Sequence, residues 1–301
     1  MQYSSLKNTF SSSSHSDIAK AYLVACKWFE QFGFNLAVTR LRRYSAVVDE
    51  LAAHYECGTL KSATFEHSLS QQANAYGEIS EILRIHQGLA SLYESELRDR
   101  LRKVLSGKEG RPSPSDFDPA RDTAFELLVA SRLLAAGYTI DFSNDADLVL
   151  NVSDTTLFVE CKRLKSLNKL QKRIGKGLKQ LNIRYANSTD PDTSRGLLAL
   201  SISDMINPTH DLLVSPTAQS MGDFASNINQ RFIEEHEHIW HGLADKRTIG
   251  VLVEFSTVGI IKEPHMLTTC TELGVNNCCY LDSPEWTLLS KLSHDMAKVG
   301  I

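Results

Sequence analysis

The alternation of apolar and polar positions along the chain divides it into a helical first third and a mixed remainder. From Ser16 to Phe32, Ile18, Ala21, Tyr22, Cys26 and Phe29 recur at helical spacing behind a Ser-Asp start, which predicts a first helix, and Asn35 to Tyr55 continues the pattern. Between Leu69 and Val104, seven-residue steps fall on Leu69, Tyr76, Leu83, Ala90, Leu97 and Val104. This stripe predicts a helical hairpin or one long helix, with Gly77 and Gly88 as weak points, packed on its own neighbours; a homo-oligomer through these helices is the alternative. Gly107 to Pro114 holds two Gly and two Pro in eight residues and reads as a linker. The expected division is therefore a helical unit over 1–110 and an α/β unit over 111–301.

Beyond the linker, Asp118-Pro119 is an N-cap followed by Pro at the first helical position, and the predicted helix runs to Ala136 before stopping at Gly137. Tyr138 to Phe142 is a predicted strand. Two strand-like runs follow, Asp147 to Val152 and Leu157 to Lys162, and the polar Ser153-Asp154-Thr155 between them predicts a hairpin. A helix over Asn168 to Asn187 carries a core stripe of Leu170, Ile174, Leu178, Leu181 and Tyr185. Gly196 to Ser203 reads as a buried central strand, Ala218 to Leu243 as a helix and Ile249 to Ser256 as another strand. The Ser-rich first fourteen residues read as irregular, and the last forty carry no legible motif. The fold class is α/β: a mixed sheet of about five strands flanked by helices, with an all-α N-terminal unit.

Within the hairpin, Phe158, Glu160 and Lys162 face one way and Leu157, Val159 and Cys161 the other, so Glu160 and Lys162 are neighbours. The turn brings Asp147 towards them. Charges set against a sheet cost several kcal/mol each unless compensated, and oxygen donors without His or Cys suit a hard cation such as Mg²⁺. An exposed edge hairpin carrying a surface ion pair is the plain alternative.

The order of these residues resembles the PD-(D/E)XK nuclease superfamily over about Asp118 to Tyr185, with its core of helix, three strands, helix and strand. Asp147 matches the family's metal-binding Asp and Glu160-Cys161-Lys162 its (D/E)-X-Lys element. Glu126 matches the acidic residue that many members carry on the first core helix, and Gln180 a helical Gln of several subfamilies. Ala146 replaces the usual Pro before Asp147, which leaves Asp145 as a rival ligand. The resemblance implies a restriction-endonuclease-like fold and a Mg²⁺-dependent endonuclease, with Mn²⁺ able to substitute, acting on DNA more readily than RNA. Asp147, Glu160 and Glu126 would serve the metal. Lys162 would orient or deprotonate the attacking water, or stabilise developing charge, without being needed to hold the fold. A catalytically inactive nucleic-acid-binding or scaffold protein that retains the fold is the other reading.

The net charge of −4 at pH 7 argues against a polyanionic partner, but its distribution reverses the argument: Cys161 to Thr189 holds nine Lys or Arg and no acid. Arg173, Lys176, Gln180 and Arg184 share a helix face suited to a phosphate backbone. No run of eighteen apolar residues and no export signal is present, so a cytoplasmic protein without membrane contact is expected. The six scattered Cys read as small buried residues; Cys270, Cys278, Cys279 and His265 lack the paired spacing of a zinc site. His236, His238 and His241 read as a solvated helix end.

Overall fold

The structure, a computed structural model, describes residues 3–5, 9–10, 14–59, 66–93, 95–110, 117–143, 146–262 and 266–299. Helix α1 (His15–Gln31) starts where the Ser14 hydroxyl accepts the Asp17 N–H, and after a 3-10 turn over Leu36–Val38 helix α2 (Arg40–Glu56) returns against it. The long stripe resolves into two helices, α3 (Leu69–Leu89), opened by a Ser68/Gln71 capping box, and α4 (Ser95–Leu105). Helix α5 (Pro119–Ala135) has the predicted ends: Asp118 accepts the Arg121 N–H at 3.3 Å, and Gly137 takes φ +91°, a conformation costly for any residue with a Cβ.

The strands are β1 (Tyr3–Ser5), β2 (Thr9–Phe10), β3 (Ile140–Asp141), β4 (Leu148–Val152), β5 (Thr155–Arg163), β6 (Ser194–Ser201), β7 (Leu213–Ser215), β8 (Thr248–Ile261) and β9 (Met266–Asn277). They form one mixed sheet in the order β1-β9-β8-β6-β5-β4-β3, with β2 also pairing β9 and β7 pairing β8. β5, β6 and β8 run parallel through the centre, which explains their continuous apolar runs; β4 and β9 flank them antiparallel. Helices α6 (Leu170–Asn187), α8 (Ala218–Leu243) and α9 (Pro284–Ala297) and the short α7 (Ser203–Ile206) complete the chain. Leu157, Val159 and Cys161 join a core shared with α1 to α5 and α9, whereas Phe158 joins the core beneath α6 and α8. The first core runs unbroken from the N-terminal helices across α5 to the sheet. The expected linker, Gly107 to Pro114, falls between α4 and α5, and its residues 111–114 lie outside the described residues.

Several expectations are corrected. The sheet is nearly twice as wide as predicted, because the polar start supplies β1 and β2, the segment before α8 supplies β7 and the last forty residues supply all of β9. The strand expected over Tyr138 to Phe142 shrinks to two residues, Tyr138 donating its hydroxyl to Asp295 instead. Cys161 and Cys270 are buried as predicted, but Cys57 is exposed, and His265 lies outside the described residues. Among the described residues no helix is long and apolar enough to cross a membrane.

Candidate metal and phosphodiester site

β5 outruns its partner. The β4–β5 ladder ends at Leu148 opposite Val159, so the Cys161 N–H and C=O face an edge with no strand beside them. Two side chains take over. Asp147, immediately before β4, accepts the Cys161 N–H on Oδ2 at 2.7 Å, and Lys162 Nζ donates to the Cys161 carbonyl at 2.8 Å. The same Nζ lies 3.2 Å from Asp147 Oδ2 and 3.1 Å from Glu160 Oε2, so one ammonium ties both carboxylates to the open edge. Glu160 is fully buried, and its second oxygen accepts Arg184 Nε at 3.3 Å.

Helix α6 roofs the site. An added Cβ at Gly177 would stand 2.6 Å from Leu198 Cδ1 and 3.3 Å from Lys162 Cγ, so only glycine lets the helix lie this close to the lysine stem. Gln180 and Arg184 follow Gly177 by three and seven residues, along one helix face. Gln180 Oε1 is buried with no hydrogen-bond partner. Arg173 is half-buried, and Lys172, Lys176 and Lys179 are exposed along the helix. Arg184 departs from its expected strand-binding role, because only 19% of its side chain is exposed and its guanidinium is paired with Glu160.

Glu126 approaches from α5 on the opposite face of the sheet. Its Oε2 accepts Arg100 Nη1 at 2.8 Å, and Arg100 Nη2 lies 3.4 Å from the Ala146 carbonyl. Burial, then the charge of Asp147, push the Glu126 carboxyl up to about 7 against the pull of Arg100 and Lys162. Burial and Asp147 likewise raise Glu160, while Lys162 and Arg184 oppose the shift. For Lys162 burial works downward, yet Asp147 and Glu160 outweigh it and hold the ammonium above its ordinary range. Such burial corrects the expectation that Lys162 takes no part in holding the fold: its side chain is 9% exposed and compensates a carboxylate with no access to water.

The structure thus brings Asp147, Glu160 and Lys162 into contact, sets Glu126 within electrostatic reach and keeps Arg173 and Lys176 on the flank of the same helix. Asp145 lies outside the described residues. Among the described residues, no three His, Cys, Asp or Glu side chains gather as a preformed metal cage; the hairpin carboxylates share Lys162 instead. Arg100 was missed, because a cation on an amphipathic helix looks solvated in sequence. Also unforeseen is the ion network around Arg163 at the end of β5, which pairs with Asp118, Asp122 and Asp204 and is 8% exposed. Compared with protein-family models, with curated proteins and with solved structures, the chain matches none.

Proposed function

We propose that the protein is a metal-dependent nuclease that hydrolyses phosphodiester bonds of DNA, built on a restriction-endonuclease-like core. The carrying observation is the sharing of Lys162 Nζ by Asp147 and Glu160 at an unpaired strand edge. Asp147, partly exposed, shares its paired cation Lys162 with Glu160, which leaves it oxygen to offer a metal, and the orphaned Gln180 oxygen adds a neutral donor on α6. This oxygen-only set fits Mg²⁺ or Mn²⁺, which Asp147 and Glu160 would hold with Glu126 beside them. Bound there, the ion would supply neutralisation of phosphate charge and a water acidic enough to ionise near neutral pH.

Lys162 then has a narrower role than sequence alone allowed. In the metal-free site the carboxylates hold the ammonium above its ordinary range, which favours donation of hydrogen bonds to phosphate oxygens over taking a proton from water. Burial and the charge of Asp147 push the Glu126 carboxyl up to about 7 in the metal-free site, which makes it a candidate to exchange a proton at neutral pH. Arg173 and Lys176 would hold the backbone of the strand without reading its sequence.

The pairing of the three carboxylates with Arg100, Lys162 and Arg184 favours the second reading, a nucleic-acid-binding or scaffold protein with no chemistry, because each carboxylate already has a cationic partner without a metal. One experiment separates them. Cleavage of supercoiled, linear, single-stranded and branched DNA in Mg²⁺ or Mn²⁺, together with calorimetric Mn²⁺ titration, is expected to show activity that Asp147→Asn and Glu160→Gln abolish along with metal affinity. Unchanged affinity in either variant refutes the ligand assignment, and DNA binding without cleavage of any form leaves the scaffold reading.

A further inference from the structure

The geometry points to Arg100, contributed by the N-terminal helices, as the positioning residue for Asp147 and Glu126. It stands on α4, whose Leu97, Leu101, Val104 and Leu105 are buried in the core, so the helix is fixed and its guanidinium is delivered from a rigid base. The Arg100 side chain is 13% exposed, and its guanidinium reaches three separate pieces of chain. Nη1 donates to Glu126 Oε2 on α5 at 2.8 Å, Nη2 faces the Ala146 carbonyl at 3.4 Å, and Cζ lies 5.5 Å from the centre of the Phe142 ring. Ala146 immediately precedes Asp147, and both lie outside any strand, since β4 begins at Leu148. The planar fork of arginine joins the two carboxylate-bearing segments: one arm meets the peptide carbonyl before Asp147 and the other the Glu126 carboxylate. A lysine, with a single point of charge, makes one of these contacts and not both.

The inference rests on the nuclease reading for its catalytic meaning, but its geometric content is testable alone. In the full chain, Arg100→Lys and Arg100→Ala are compared with Arg102→Ala, a control on the same helix whose exposed guanidinium pairs with Asp99. The first readout is amide exchange at Cys161, whose N–H is held by the Asp147 carboxylate. Both Arg100 variants should accelerate it about 3- to 10-fold, the equivalent of one hydrogen bond, while Val159 exchanges as in the wild type. The second readout is Mn²⁺ affinity and kcat for cleavage, expected to fall about 10- to 100-fold, with KM for DNA unchanged and partial recovery of the Ala variant in added guanidinium but not ammonium. Should the Ala variant not fold, the Lys variant carries the test. Wild-type exchange at Cys161 in the Lys variant overturns the inference whatever the protein does. Faster exchange in a chain whose wild type neither binds Mn²⁺ nor cleaves DNA keeps Arg100 as the anchor of Asp147 and removes the nuclease reading.

Discussion

Lys162→Met keeps the length and apolar stem of the side chain but removes an ammonium within reach of Asp147 Oδ2, Glu160 Oε2 and the Cys161 carbonyl. Deleting one partner of a buried ion pair costs about 3–5 kcal/mol when the other charge is left uncompensated. Here compensation is partial. Glu160 keeps Arg184 at 3.3 Å, and Asp147 keeps the Cys161 N–H and is 20% exposed. The expected loss at pH 8 is therefore about 1–3 kcal/mol, or about 2–5 °C in Tm for a single cooperative unit of this size. Its pH dependence identifies the cause. The Glu160 carboxyl already sits above its ordinary value of 4.5, and Lys162 is one of the groups that pull it down, so removing Lys162 raises it further. A carboxyl raised in the folded state contributes stability that is fully present below 4.5 and is lost as pH rises through the folded value. The gap in Tm between wild type and Lys162→Met should accordingly be small at pH 5 and widen towards pH 8. Thermal melts followed by circular dichroism at both values measure it, with cleavage assayed on the same samples and expected to be lost. An equal gap at both pH values, or none, would show that Lys162 does not compensate Glu160.

Gly177→Ala forces a Cβ against Leu198 and the Lys162 stem, so a loss of about 1–3 kcal/mol is expected together with reduced cleavage; a variant as stable and as active as wild type would mean that α6 lifts off freely. Replacing Arg173 and Lys176 together by Ala should weaken binding of unrelated DNA sequences alike and flatten its dependence on salt, as anisotropy titrations would read. Equal slopes for wild type and the double variant would reduce the basic run to a solvated face.

What the sequence discloses of this fold follows from how regular each element is. The β4–β5 hairpin was legible because Ser153, at φ +54°, occupies a turn that its neighbours announce, and because alternation in β5 is strict enough to put Glu160 and Lys162 on one face. Helix α5 was legible from its two caps. β9 was not, because it is covered on both faces while carrying polar side chains: Thr268, Thr269, Thr271, Glu272 and Asn276 are all buried. Polar residues buried inside a sheet erase both the alternation and the apolar run by which a strand is recognised. Of the site, the pair on β5 and the carboxylate at the mouth of β4 could be read, being close in sequence. Arg100 and the inward turn of Arg184 could not, since both depend on how helices far along the chain pack against the sheet.

The pairing of β1 and β2 with β9 brings together strands that lie far apart in the chain. Tyr3 lies opposite Asn276 and Phe10 opposite Cys270, so the strands made first must wait for nearly the whole chain before they find their places. Until then the outer edge of a twelve-residue strand is bare, with a row of backbone donors and acceptors open to any other extended segment. The N-terminal strands cover that edge at five of its twelve residues, so the row of groups open to wrong association is shortest when both are seated.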